Sequence, residues 1–181
     1  MRPVAKPTFR SLTKEESTEL LRRNHVGRLA FTFHDRVDVQ PVNYVYDAGW
    51  LFGRTSDGAK LMTLAHNQWL AFEVDEVRGP FDWASVIARG AFRRIDPDGP
   101  PRERAAAARA VRLLRAIVPE TYTADDPAGF RTVLFRILID EMTGRAAHPA
   151  APADVAAAGQ RARRARVPVR RITAPPNPNG W

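Results

Sequence analysis

From Val26 to Gly144 the chain repeats one pattern, runs of β-branched and aromatic residues cut off by short polar turns. The runs are VGRLAFTF from 26, VDVQPVNYVYD from 37, WLFGRTS from 50, WLAFEVDEV from 69, WASVIARGAFRRID from 83 and FRTVLFRILIDEMTG from 130. Alternating apolar and polar residues place every second side chain on one face, as in a strand with one side in a core. Connections as short as His34-Asp35-Arg36 and Asp47-Ala48-Gly49 suit hairpins and are too short for the crossovers of a parallel sheet. The expectation is a mainly β fold, an antiparallel barrel of six strands with a few helices packed outside it.

Inside the second run the alternation changes parity, from Val37 and Val39 to Val42, Tyr44 and Tyr46. Pro41 sits at the change. Proline has no N–H to give to a ladder, so a bulge or a free edge is expected there. Gly90 marks a second bulge or bend. Three helices fit between the runs. Thr13 followed by Glu16 is a capping-box pattern that starts a helix over 13–24, with Leu20 and Leu21 on its apolar face. A short helix runs from about Ala59 to His66. The stretch PPRERAAAARAVRLLRAIV, 100–118, has proline before its first turn, an alanine-rich body and an apolar face of Val111, Leu114 and Val118.

The 181 residues suit one domain with a core, expected over 1–145, followed by an Ala/Pro/Arg-rich tail over 146–181. The tail is poor in large apolar residues, the composition of a flexible segment. The net charge of +8 is concentrated there, since six arginines against Asp154 give the tail +5 and leave +3 for the rest. That excess describes the tail rather than the barrel, and nucleic acid is not expected as a partner. No apolar run reaches the roughly 18 residues of a membrane span. The N-terminal stretch has no apolar signal core, which points to the cytoplasm. Without cysteine there can be no disulfide, thiolate metal site or cysteine nucleophile. His25, His34, His66 and His148 lack metal-ligand spacing, so no metal is expected.

The motifs of side-chain catalysis are missing: there is no GxSxG, no P-loop and no GxGxxG after a strand. No catalytic side chain is nominated, and any reaction falls to a bound cofactor. One stretch could anchor such a group. In RTSDGAK, 54–60, Arg54, Thr55 and Ser56 end a strand, Gly58 opens the turn and Lys60 enters the next helix. A phosphate monoester, with a charge of about −1.5 to −2 and three acceptor oxygens, suits a guanidinium fork, hydroxyls, a lysine and the amides of a helix N-terminus. The same residues also suit a plain capping turn, with Ser56 or Asp57 as the cap and both cations in solvent. The stretch by itself leaves both readings open.

Taken in order, VGRLAF, PVNYV, RTSDGAK, FEVDEV, WASVIARGAF and TVLFRILIDEMTGR resemble the pyridoxamine 5′-phosphate oxidase-like superfamily of flavin-binding split barrels, nearest the 5-nitroimidazole reductase branch, over about residues 10–145. The resemblance implies a six-stranded antiparallel split β-barrel of the FMN-binding type and a homodimer with FMN at its interface. It also implies flavin-dependent oxidation or reduction of a small molecule, with a separate electron donor. By position, Pro41, Val42, Asn43 and Tyr44 would line the isoalloxazine, partly through backbone groups. Arg54, Thr55, Ser56 and Lys60 would take the phosphate. Trp83 and Ser85 of the partner subunit would close the site. A deazaflavin in the same groove, or a flavin-binding or storage protein without turnover, are the alternatives. The closing RVPVRRITAPPNPNGW does not match the C-terminal segment of true pyridoxamine phosphate oxidases, so vitamin B6 oxidation is not expected.

Overall fold

A computed structural model describes residues 6–33 and 36–149. Residues Phe9–His148 form one compact unit. The expected flexible tail, and His34 and Asp35 of the first hairpin turn, lie outside the described residues. The elements are β1 (Thr8–Ser11), α1 (Lys14–Arg23), β2 (Val26–Phe33), β3 (Arg36–Asp47), β4 (Trp50–Thr55), α2 (Ala59–His66), β5 (Trp69–Gly79), β6 (Asp82–Arg94), α3 (Pro101–Ile117) and β7 (Val133–His148). The last strand carries the fold past the expected boundary at residue 145.

Neighbouring strands run β7-β4-β3-β2-β5-β6, and β6 pairs back onto β7, so six antiparallel strands close into a ring. Closure removes the open edges that would otherwise invite aggregation. The long β7 makes it possible, pairing with β4 through Val133–Leu138 and with β6 from Phe135 to Ala147. Beside its second half lies β1, a seventh strand with no counterpart in the sequence reading. All four of its residues are exposed, so it has no apolar alternation to betray it.

The hairpin turn between β3 and β4 holds Ala48 at φ 48° and Gly49 at φ 83°. Two left-handed residues give the turn whose twist matches the flanking strands. At Gly90 the β6–β7 register shifts, as the sequence suggests. A Cβ there would lie 1.9 Å from the carbonyl oxygen of Leu138, so no larger residue fits. At Pro41 there is no bulge. Pairing with β2 is unbroken from Val26↔Asn43 to Phe33↔Arg36, whereas pairing with β4 begins only at Tyr44↔Gly53. Proline is tolerated because this part of β3 has a free edge. The change of parity has another cause: Val42 and Tyr44 face inward, while Val37 and Val39 are apolar residues on the outer face, 74% and 53% exposed.

The barrel interior is filled by Leu29, Phe31, Val42, Tyr44, Phe72, Val86 and Phe135 among others, and α1 closes one end with Leu20 and Leu21. Each fully buried large side chain of this kind contributes about 1.5–3 kcal/mol. The capping box of α1 forms as read, with the Glu16 N–H donating to Thr13 Oγ1 at 3.1 Å and the Thr13 N–H to Glu16 Oε2 at 2.8 Å. At the other end of α1, Glu76 of β5 accepts from Arg23 Nε and Asn24 Nδ2, both at 2.7 Å. These bonds, the one from Arg23 first, lower the Glu76 carboxyl to about 2. A second core lies outside the barrel, where Ala106, Ala107, Ala110 and Leu114 of α3 cover Val45, Phe52 and Leu134. The alanines bring the helix close to the sheet. Among the described residues no helix is long and apolar enough to cross a membrane.

Candidate functional site

The open edge of β3 and the turn after β4 face the same gap, because the two strands stop pairing beyond Tyr44↔Gly53. The N–H of Tyr44 donates to the carbonyl of His25 at 3.0 Å, turning its backbone toward the β2 side. Antiparallel alternation then turns Val42 the same way and leaves the groups of Pro41 and Asn43 on the free edge. Of the four residues expected to line a ring, two therefore do not present themselves. Val42 and Tyr44 are 5% and 0% exposed and belong to the core. The Tyr44 hydroxyl donates to the Leu21 carbonyl at 2.8 Å, and burial pushes its phenol well above the usual range. Pro41 and Asn43 offer two carbonyls and one N–H along the edge, and the Asn43 amide oxygen accepts from Arg131 Nη1 at 3.1 Å.

On the other side of the gap, α2 begins at Gly58 with no side-chain cap. Neither Ser56 nor Asp57 caps it, so the capping reading of the turn fails. Gly58 has φ 155°, a conformation that side chains disfavour. The free amides at the start of an eight-residue helix, with exposed Ser56 before them, can accept an anion. Lys60 is the second residue of this helix; its side chain lies outside the described part of the chain. Thr55 is buried at the end of β4, opposite Val133.

Arg54 departs from expectation. It is 7% exposed and holds Asp126 through both terminal nitrogens, Nη2–Oδ1 at 2.7 Å. The Asp126 carboxylate also accepts from the N–H groups of Tyr122 at 2.7 Å and Ala128 at 2.9 Å. The Arg54 fork, foremost, and these amides hold its carboxyl far below the usual carboxylate range. Arg54 further lies over the Tyr122 ring, 5.3 Å from its centroid. With its end-on donor pair committed to a carboxylate, it braces the strand end against the segment between α3 and β7. Asp126 is the residue that sequence reasoning missed. It lies 72 residues from its partner, in a stretch with no periodicity.

Trp83 and Ser85 stand on the outer face of β6. Ser85 Oγ donates to Glu73 Oε1 at 3.0 Å, and Trp83 lies 6.4 Å from the Phe9 ring. Within one chain they are three strands from the free edge, as the row Pro41–Arg28–Glu73–Ile87 across β3, β2, β5 and β6 shows. At a strand spacing near 4.8 Å that is about 14 Å. One copy does not bring them to the turn.

A closed antiparallel ring with one unpaired strand edge is the architecture of the split barrels that the sequence resembles. A family model described as pyridoxamine 5′-phosphate oxidase matches residues 13–146, and the chain belongs to that family. Curated proteins give no significant match. Among solved structures, a FAD-binding protein from Mesorhizobium loti is 28% identical, with a TM-score of 0.62 over 76% of this chain and 96% of its own. A FAD-binding protein from Mycobacterium smegmatis is 27% identical, with a TM-score of 0.56 over 75% of this chain and 98% of its own. A proposed 5-nitroimidazole antibiotic resistance protein from Bacteroides thetaiotaomicron, 18% identical, shares the fold at a TM-score of 0.56 over 79% of this chain and 90% of its own.

Proposed function

We propose that this chain is a flavin-binding protein with flavin-dependent oxidoreductase activity on a small molecule, assembled as a homodimer. The observation that carries the reading is the pairing of an uncapped helix start with an unpaired strand edge across one gap. The residues present fit the group. Amides of α2, with Ser56 and Lys60, suit a phosphate; the edge groups of Pro41 and Asn43 suit the donors and acceptors of a planar heterocycle. Two relatives above 25% identity are FAD-binding proteins, which supports a flavin. FMN is the smallest flavin that meets both halves of the site.

When bound, the isoalloxazine supplies two-electron chemistry. The chain's part is to anchor, orient and shield. No described side chain at the free edge stands as an acid or base. The Asn43 amide is held by Arg131, and Pro41 fixes the strand. Two features support a second copy. Within one chain Trp83 and Ser85 lie too far from the gap to line it, and the outer face of β2, β3 and β5 carries exposed Val39 and Trp69 beside small Ala30 and Ala71. Contiguous exposed apolar surface of this sort marks an interface.

The test is a visible absorption spectrum of purified protein after incubation with FMN and gel filtration. Flavin bands are expected to be retained, and a Lys60→Ala variant is expected to lose them while keeping the same circular dichroism. A protein that stays colourless with FMN and FAD alike would overturn the flavin reading and bring a deazaflavin forward. Bands retained with no reduction by any nicotinamide donor would reduce the protein to a flavin carrier.

A further inference from the structure

The segment between α3 and β7 bridges the two strands that stop pairing at the gap. Beside β4 it is fixed by Asp126, which takes the Arg54 fork and the N–H groups of Tyr122 and Ala128. Both side chains of that ion pair are less than a tenth exposed. Further along, Arg131 Nη1 donates to the amide oxygen of Asn43, on β3, at 3.1 Å. Between the two ties the chain is drawn into a turn, closed by the Arg131 N–H on the Ala128 carbonyl at 2.9 Å. One short segment thus holds β4 by a carboxylate and the edge of β3 by a guanidinium.

The two ties differ in charge. Arg54, Arg109 and Arg136 each hold a carboxylate, which cancels the cation locally. Arg131 holds a neutral amide, so a full positive charge stays at the free edge. The bond to Asn43 takes one of the five N–H donors of a guanidinium. The Arg131 group also lies over the Phe130 ring, 5.6 Å from its centroid, and a stacked guanidinium is held in orientation. The braced segment therefore keeps a cation in a fixed place beside Asn43, a role that its sequence position does not reveal.

We propose that Arg131 meets the polar edge of the bound ring and stabilises the negative charge that reduction places there. The proposal rests on the flavin reading above. Of the two ends of an isoalloxazine, only the pyrimidine end carries the donors and acceptors that Pro41 and Asn43 match. A hydride donor delivers two electrons and one proton to N5, which leaves one negative charge spread over N1 and the C2 oxygen. Bonds to a charged acceptor are stronger than bonds to a neutral one, so the contact with Arg131 tightens on reduction. A cation at this end of the ring raises the reduction potential.

The experiment is a dye-coupled redox titration of FMN on the full chain, with protein in excess, for wild type, Arg131→Gln and Arg131→Lys. Circular dichroism checks that the folds agree. Arg131→Gln is expected to disfavour the reduced form by about tenfold, the worth of one charge-assisted bond, a fall of about 30 mV in midpoint potential. Arg131→Lys keeps the charge and is expected to recover most of that fall. An unchanged potential in Arg131→Gln, as when both redox states are weakened alike, would reduce Arg131 to an anchor and overturn the proposal. An equal fall in Arg131→Lys would overturn it too, because charge would then not be the cause. In both cases the retained flavin bands leave the flavin reading standing. A wild type that binds no FMN would remove both.

Discussion

The barrel has two outer faces, and β3 takes part in both. Toward its C-terminal end Val45 joins Phe52 of β4 and Leu134 of β7 beneath α3, all less than a tenth exposed. Toward its N-terminal end Val37 and Val39 face outward with nothing over them, in line with Thr32 and Ala30 of β2. Both faces carry apolar side chains at outward positions of β3. The difference is that α3 covers one, while the other stays exposed among the described residues. An apolar outer residue on a strand therefore has two possible partners, and only the placement of α3 tells them apart.

Three variants would break or sharpen this contrast. The largest effect belongs on the covered face. Phe52→Ala leaves a cavity under α3 and is expected to cost about 3–5 kcal/mol in urea unfolding. A loss below about 1 kcal/mol would mean that α3 is only loosely attached. On the open face, Val39→Glu places a charge where the second copy would bury it. The dimer dissociation constant, measured by sedimentation, is expected to rise about a hundredfold or more. Stability of the single chain should move by no more than about 0.5 kcal/mol. If Val39→Glu instead unfolds the chain, the open face is core and the contrast fails.

The smallest effect lies on neither face. Glu76 ties α1 to β5, and its folded pKa is lowered to about 2 from an ordinary 4.5. Its stabilisation is therefore fully present above pH 4.5 and is lost as pH falls toward 2. In Glu76→Gln the fall of Tm over that window should be shallower than in the wild type, with assembly at neutral pH unchanged. A wild-type acid limb that the substitution does not alter would show that Glu76 has no part in it.

Much of the barrel was legible before any coordinates. Period-2 alternation, the Ala48-Gly49 turn, the Thr13–Glu16 capping box and the glycine at residue 90 are local signals, each fixed by the conformations its own residues allow. β1 was not legible, because a strand with four exposed residues pairs through its backbone alone. The site was legible only in part. The candidate segments PVNYV and RTSDGAK could be nominated, and the helix that starts at the turn could be read. Which side of each residue faces the gap could not. Val42 and Tyr44 turned out to be core and Arg54 a brace, since both outcomes depend on neighbours far along the chain.

By itself, then, the sequence settled which segments form the six barrel strands and where they turn. Those are properties of short stretches, set by backbone sterics and by the spacing of apolar side chains. The tertiary structure alone decided that β6 closes onto β7, that Asp126 takes the Arg54 fork and that α3 covers one outer face but not the other. Each of these joins residues dozens of positions apart, and no local pattern can encode a contact whose partner is chosen by how the whole sheet curls.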